Sequence, residues 1–280
     1  MVNMATAQSD VYLNPELRIN LFSIASIAVF TQFICSVAHE VLGHALMAAL
    51  SGGSLLHVSS VDADYNIEHL TVGLQRLIHS AGILMNFIVG IVVAIIAKQL
   101  LHASSNTRYF LWLLCHVNFF IGGGYMMALS FAGFGDVDAF VTGLPNPVFW
   151  KTALTLIGAV ISFATLKHGV RTLDPFLGNE YGERRRRGRA LTIFPYLVSG
   201  IMSVIAGLFN PVGMVLVAMS AAASSFGGQA FLAWMAAFIR IRKSGEPVEL
   251  LTPVFSKTWI FLGILAFIVD VVVLGPGLPR

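Results

Sequence analysis

Residues 20–50 read NLFSIASIAVFTQFICSVAHEVLGHALMAAL, an apolar run that contains a cluster of ionisable side chains near its end. The run is long enough to cross the ~30 Å hydrocarbon core of a bilayer, which takes about 20 helical residues. It is too long for the apolar core of a cleaved signal peptide, and the residues before it lack a basic segment. The stretch therefore predicts a retained membrane helix that carries His39, Glu40 and His44.

The whole chain has the composition of a polytopic membrane protein. Of its 280 residues, 56% are hydrophobic and 11% are charged, whereas soluble domains carry about 25% charged residues. We therefore predict an all-α transmembrane bundle of six or seven helices in a lipid bilayer. The spans lie at about 20–50, 73–97, 108–134, 148–167, 191–209, 212–239 and 257–274. The number is open because only Asn210-Pro211, a turn signal, separates the fifth and sixth spans.

The positions of Lys and Arg predict the orientation of the bundle. If the N-terminus is cytoplasmic and the spans alternate, all of the 17 basic residues except Arg76, Lys151 and Arg280 lie at cytoplasmic ends. Basic residues concentrate in the cytoplasmic loops of membrane proteins. We therefore predict a cytoplasmic N-terminus, with His39 to His44 toward the non-cytoplasmic face.

The pattern along the chain suggests three parts. They are a cytoplasmic segment at 1–19, a core of three membrane helices at 20–150, and further helices at 151–280 with a basic cytoplasmic loop at 168–190. The run from Arg184 to Arg187 is typical of an anchor at anionic lipid headgroups, and nothing near it indicates nucleic-acid binding. In the non-cytoplasmic connection at 51–72, the alternating pattern from Leu55 to Val61 favours a short hairpin or an edge strand.

His39, Glu40 and His44 are the residue types of a metal-dependent hydrolase. Two neutral imidazoles can bind a metal ion, while a neighbouring carboxylate accepts a proton from water. The common metalloprotease signature spaces its two His at i and i+4, on one face of a helix. The spacing here is i and i+5, which on a regular α-helix separates the imidazoles by about 140°. A π-bulge with Gly43 as the yielding position would bring them onto one face.

A catalytic zinc ion usually has three protein ligands, so a third ligand is expected from another helix at the same depth. The third span ends in a segment with Asp136 and Asp138, and the predicted topology puts both near the depth of the two His. Either aspartate is therefore a candidate third ligand to one zinc ion.

Three sequence elements resemble the site-2 protease family of intramembrane zinc metalloproteases. His39-Glu40…Gly43-His44-Ala45 is similar to the family's His-Glu-x-Gly-His-Ala. Ser80-Ala-Gly82-Ile-Leu-Met-Asn86 is similar to its Ala-Gly-Pro-x-x-Asn element, and Gly135-Asp136 resembles its later Asp element. The resemblance covers about residues 20–150. It implies that His39, His44 and Asp136 are zinc ligands, that Glu40 is the general base, and that Asn86 lies near the substrate.

The chain departs from the family pattern at three places. One extra residue separates Glu40 from His44, Ile83 stands where the family has Pro, and Val137 follows Asp136 where the family has Gly. A soluble zinc dipeptidyl-peptidase family has a similar His-Glu-Leu-Leu-Gly-His, so the longer spacing is compatible with zinc binding.

Taken together, these features predict an intramembrane zinc metallopeptidase that hydrolyses peptide bonds of membrane-protein substrates. Two alternatives stay open. One is a metal-binding membrane protein without peptidase activity, and the other is a transporter or structural protein in which the His-Glu-His set is a polar packing cluster.

Overall fold

Long apolar helices form most of the protein. A computed structural model describes residues 18–210, 221–240 and 250–278, so the predicted cytoplasmic segment lies almost entirely outside the described residues. The elements in chain order are α1 (Leu21–Leu50), β1 (Ser54–Val58), β2 (Ala63–Asn66), α2 (Val72–Gln99), α3 (Ser105–Leu129), α4 (Asp136–Val141), α5 (Pro147–Thr172), α6 (Tyr181–Leu208), α7 (Ala230–Trp234) and α8 (Lys257–Leu274). All the helices except α4 and α7 are long and apolar enough to cross a membrane, which confirms the predicted all-α membrane bundle.

Capping side chains mark where several of these helices begin. The Asn20 side chain accepts a hydrogen bond from the Ser23 amide at 2.9 Å, so one free N–H at the start of α1 is satisfied. Thr71, Ser104 and Ser256 cap α2, α3 and α8 in the same way. Such caps matter at a membrane boundary because an unsatisfied amide in an apolar layer costs several kcal/mol.

The outer surface of the bundle is apolar, whereas its centre is one buried helix. Phe22, Leu50 and Val160 are 76%, 74% and 70% exposed. A surface of this kind is stable when it faces lipid. By contrast, α3 is buried along most of its length and packs against α1, α2 and α5. It is therefore the axis on which the surrounding helices assemble.

A β-hairpin covers one end of the bundle, as the alternating pattern predicted. Strands β1 and β2 are antiparallel, with Leu55 opposite Tyr65. The outer edge of β1 is also paired, because Val58 and Leu278 exchange two backbone hydrogen bonds of 2.8 Å. The hairpin is therefore held to the segment that follows α8.

Six of the described helices are long enough to cross a membrane, and the remaining predicted pass falls partly outside the described residues. At the hairpin end, the Asn210 side chain donates to Ser59 Oγ at 3.1 Å. At the opposite end, Arg184 Nε donates to the carbonyl oxygen of Arg240 at 3.0 Å. These contacts place Asn210 at the hairpin end of the bundle and Arg240 at the opposite end. The predicted sixth span at 212–239 is described only from residue 221, where a π-helical turn, α7 and a 3₁₀ turn follow one another.

The predicted polar loop at 168–190 is shorter than expected, and part of its arginine run is buried. Arg184 Nη2 pairs with Asp174 at 2.6 Å. Arg187 donates to the carbonyl oxygens of Phe176 at 2.6 Å and Leu251 at 2.9 Å. These two arginines lie on the inner face of α6, and their hydrogen bonds connect α6 to neighbouring segments at this end of the bundle. The prediction of a headgroup anchor can hold only for the exposed arginines of the run.

Replacing Arg187 with methionine is expected to destabilise the protein. The change leaves buried carbonyl oxygens without a donor, which should lower the free energy of unfolding by about 2–4 kcal/mol. Thermal unfolding of the purified protein in detergent measures the effect. Arg189→Met is the matched control, because Arg189 is exposed on the same helix. Equal loss of stability in the two variants would contradict the inferred role of Arg187.

Candidate metal centre and adjoining cavity

The part of α1 that carries the His-Glu-His set is a π-helix from Val37 to Ala45. In a π-helix the hydrogen bonds run from i to i+5, so side chains five residues apart come to lie on one face. The imidazole rings of His39 and His44 accordingly lie side by side, with 4.9 Å between their centroids. The widened helix predicted from the spacing is therefore confirmed.

Close contact between α1 and α2 positions these two rings. A Cβ atom on Gly43 would lie 2.6 Å from the Gly82 Cα atom, so the two helices cross backbone to backbone. A Cβ atom on Gly82 would lie 2.5 Å from His44 Nε2 and 2.6 Å from His39 Nε2. Both Nε2 atoms therefore lie against α2 at Gly82, in space that any side chain at this position would fill.

Hydrogen bonds on the far side of each ring fix its tautomer. His39 Nδ1 donates to Asn86 Oδ1 at 2.7 Å, and His44 Nδ1 donates to the carbonyl oxygen of Ile78 at 2.8 Å. Because both partners are oxygens that accept, Nδ1 carries a proton in each ring, and Nε2 is the nitrogen whose lone pair a neutral imidazole can offer to a metal ion. Metal-binding histidines are held in this way by a partner on their second nitrogen.

Asn86 lies behind His39 and away from the cavity. Its side chain is fully buried, and its amide donates to Asn118 Oδ1 at 2.8 Å and to the carbonyl oxygen of Cys35 at 3.3 Å. These contacts favour a role in orienting His39. The contact between Asn86 and a substrate stays a prediction.

Asp136 is the first residue of α4, a short helix that is separate from the third span. The predicted span extended to residue 134, but α3 ends at Leu129, and the chain turns at Gly133 and Gly135 with φ of 76° and 83°. This turn brings Asp136 Oδ2 to 2.9 Å from His39 Nε2 and 3.3 Å from His44 Nε2. Burial would raise the pKa of the Asp136 carboxyl, but without a metal ion the two imidazoles in their protonated form outweigh burial and hold that pKa well below its usual range.

The structure separates the two aspartates that the sequence left as alternatives. Asp138 Oδ1 pairs with Lys151 Nζ at 2.5 Å, at the start of α5. Its carboxylate is therefore already neutralised by a cation, whereas the carboxylate of Asp136 faces the two imidazoles. The geometry favours Asp136 over Asp138 as the third donor.

His39, His44 and Asp136 form a group that could hold a metal ion. Their donor atoms all lie within 4.8 Å of one another. Two ligands at about 2.1 Å from a tetrahedral metal ion lie about 3.4 Å apart, close to the separations from Asp136 to the two imidazoles. His44 Nε2 is buried and makes no hydrogen bond among the described residues, although Asp136 Oδ2 lies 3.3 Å from it, so this nitrogen is placed to bind an ion shared with Asp136.

A cavity of about 130 Å³ opens beside this group. Half-buried Glu40 lines it, and within the described part of the chain no hydrogen bond or ion pair holds the Glu40 carboxylate. The hairpin turn from Ser60 to Ala63 forms another part of the wall. A cavity of this size holds several water molecules, so Glu40 and the three donors can share one solvated space.

The sequence interpretation missed several cavity residues. Gln32 and Gln229 form the far wall, joined by a hydrogen bond of 2.9 Å. Polar residues within apolar spans mark functional positions, so these two glutamines could have been singled out. Tyr65 and Tyr125 also line the cavity. No spacing in the sequence links the tyrosines to the His-Glu-His set, because they reach it from β2 and α3.

Comparison of the chain with family models, with curated proteins and with solved structures finds no match. The resemblance to the site-2 protease family therefore rests on the three sequence elements quoted above. Residues from each of these elements meet at the centre described here.

Adding one methyl group at Gly82 is expected to displace both imidazoles. Gly82→Ala should lower the affinity for a divalent metal ion by about 10–100-fold, an effect of the size seen when ligand orientation is disturbed. Metal content of the purified protein, titrated with a chelator, measures the change. Gly73→Ala on the same helix is the control, because a Cβ atom there meets nothing within 4 Å. Unchanged metal affinity in Gly82→Ala would show that the imidazoles do not bind the ion.

The two aspartates should respond differently to loss of charge. Asp136→Asn removes a charged donor from the centre, so we expect metal affinity to fall by more than about 100-fold. Asp138→Asn should leave metal affinity nearly unchanged, because that carboxylate pairs with Lys151. The same chelator titration compares the two variants, and the reverse order of effects would identify Asp138 as the ligand.

Proposed function

We propose that this protein is an intramembrane zinc metallopeptidase that hydrolyses peptide bonds of membrane-protein substrates. The observation that carries the proposal is the convergence of His39, His44 and Asp136 beside a cavity lined by Glu40. Two imidazoles, one carboxylate and a nearby second carboxylate are the donor and base set of zinc hydrolases. The resemblance to the site-2 protease family supports the same function, and membership of that family is part of this proposal.

One zinc ion is the cofactor that we propose. When bound, zinc supplies Lewis acidity, which polarises a carbonyl group and lowers the pKa of water. The ligand nitrogens would be His39 Nε2 and His44 Nε2, since hydrogen bonds to Asn86 and Ile78 occupy the other ring nitrogens. The side chain of Asp136 would supply the third donor.

Glu40 is the proposed general base and general acid. Its carboxylate takes a proton from water as the water oxygen forms a bond to the carbonyl carbon of the substrate. The C–N bond then breaks, and Glu40 returns the proton to the nitrogen of the leaving amine. The second proton of the water passes from the new carboxylic acid to the amine, so the products are a carboxylate and an ammonium ion, one water molecule is consumed and Glu40 is unchanged.

The environment of the site favours membrane proteins as substrates. The His-Glu-His set lies on a helix that is long and apolar enough to cross a bilayer, and the walls of the cavity include α3 and the segment near Gln229. A substrate helix has to unwind near this depth, because its carbonyl groups are otherwise held in internal hydrogen bonds.

We further propose that the N-terminus is cytoplasmic and that the hairpin end faces the opposite side of the membrane. The contacts at the end away from the hairpin support this orientation, since Arg184 and Arg187 gather there with neighbouring exposed arginines. Basic residues favour the cytoplasmic side.

Replacing Glu40 with glutamine tests the function directly. Glu40→Gln keeps the shape of the side chain and removes the proton acceptor, so we expect turnover to fall by about 10²–10⁴-fold while one zinc ion per chain is retained. Cleavage of fluorescein-labelled casein and of internally quenched single-span peptides in detergent micelles measures turnover, and elemental analysis measures zinc.

The exposed Glu68 provides the matched control, and Glu68→Gln should keep both zinc and turnover. Full activity of Glu40→Gln would contradict the role of Glu40. A wild-type protein that binds one zinc ion and cleaves none of these probes would count against the peptidase and in favour of a metal-binding protein without peptidase activity. If the purified protein contains no stoichiometric zinc, both the zinc peptidase and the metal-binding protein without peptidase activity are excluded.

A further inference from the structure

Tyr125 is a buried tyrosine that lies at the metal centre without belonging to the donor group. It comes from α3, is 6% exposed, and lines the cavity that Glu40 also lines. The centroid of its ring is 6.0 Å from that of His39. Its phenol therefore faces the space in which the proposed reaction occurs.

The hydroxyl of Tyr125 is held in place by the backbone of the loop that carries Asp136. The Asp136 amide donates to the Tyr125 hydroxyl oxygen at 3.2 Å. This bond uses a lone pair of the oxygen and leaves the hydroxyl proton free to donate. Within residues 18–210, 221–240 and 250–278, no acceptor takes that proton.

Three other hydroxyl groups that line the cavity are already engaged, whereas that of Ser60, on the hairpin turn, has no hydrogen-bond partner among the described residues. Ser203 Oγ donates to the Ser199 carbonyl oxygen at 3.2 Å, and Ser224 Oγ donates to that of Ala221 at 3.2 Å. The hydroxyl of Tyr65 is hydrogen-bonded to His79 Nδ1 at 3.1 Å. These groups are less available than Tyr125 for a new hydrogen bond to a substrate.

Gly135 leaves the space that the Tyr125 hydroxyl occupies. A Cβ atom at position 135 would overlap that hydroxyl oxygen, and the φ of 83° at this residue also disfavours any side chain. The turn before Asp136 therefore allows the phenol to reach the centre and fixes its position before a substrate binds.

We propose that the Tyr125 hydroxyl donates a hydrogen bond to the carbonyl oxygen of the scissile peptide bond as that oxygen becomes negatively charged. This inference rests on the proposed peptidase function and adds a residue to its machinery. When water adds to the carbonyl carbon, the electron pair of the C=O double bond moves onto the oxygen. A prearranged donor in a buried site stabilises this charge more than it stabilises the neutral carbonyl group, so it accelerates the chemical step.

The same contact admits a purely positioning role, in which Tyr125 only holds the Asp136 loop. The two roles predict different effects of removing the hydroxyl. A donor to the oxyanion affects kcat and the binding of tetrahedral analogues, whereas a group that only holds Asp136 affects the affinity for zinc. Measurements on one variant can therefore distinguish them.

The test is Tyr125→Phe, which removes only the hydroxyl. The probes are an internally quenched peptide that the wild-type protein cleaves and the phosphonamidate analogue of that peptide. We expect kcat to fall by about 100-fold, with KM changed by less than about 3-fold. The affinity for the phosphonamidate should fall by a similar factor, while zinc stays at one ion per chain.

Tyr109→Phe is the matched control. The Tyr109 hydroxyl donates to the carbonyl oxygen of Leu191 at 2.8 Å, and it lines no part of the described cavity. This variant also loses one buried hydroxyl and with it some stability, but its kcat and phosphonamidate affinity should equal those of the wild type.

Three results would overturn the inference. If Tyr125→Phe keeps both its kcat and its phosphonamidate affinity, Tyr125 is no donor and the peptidase proposal stands. If the variant loses zinc and excess zinc restores kcat, Tyr125 only positions Asp136. If the zinc-loaded wild-type protein neither cleaves peptides nor binds the phosphonamidate, the inference and the proposed function fail together.

Discussion

The backbone contact between α1 and α2 at Gly43 and Gly82 is the constraint on which the centre depends. Because neither residue has a side chain, the two helices approach closely enough for the Ile78 carbonyl oxygen and the Asn86 side chain to reach the imidazoles. The π-helical segment of α1 then turns both rings toward α2. Both features are needed. Without the π-helix the two Nε2 atoms would point in different directions, and without the close crossing at glycine they would have no space beside α2.

Polar groups inside an apolar bundle need hydrogen-bond partners, and in this protein buried networks at the two ends of the bundle supply them. Asn118 accepts from Asn86 on α2 and donates to Cys35 Sγ on α1 at 3.2 Å. Because Asn86 accepts from His39, the network joins three helices behind one imidazole. At the other end of the bundle, the buried guanidinium of Arg187 satisfies backbone carbonyl oxygens in a similar way. Such fully bonded networks fix the relative positions of helices that otherwise share only apolar contacts.

The cavity is assembled from segments that are far apart in the sequence. The hairpin turn, the turn before Asp136 and the segment near Gln229 each contribute part of the wall. All three are short or irregular elements, whereas the long helices supply the frame. Irregular backbone at membrane depth is tolerated where it is buried in protein or lines a water-filled space, and this cavity provides such a space.

The sequence by itself determined the membrane helices and the two histidines, because hydropathy and spacing are local properties of the chain. Spans such as 257–274 were predicted with the observed bounds, and the i, i+5 spacing required the π-helix that is present. Only the tertiary structure places Asp136 beside the two imidazoles and pairs Asp138 with Lys151, since both contacts depend on where α4 and α5 pack. It also buried two arginines that a linear pattern assigned to headgroups, and it brought Tyr125 and Gln229 to the cavity. Contacts between distant segments follow from helix packing, which no local pattern of residues encodes.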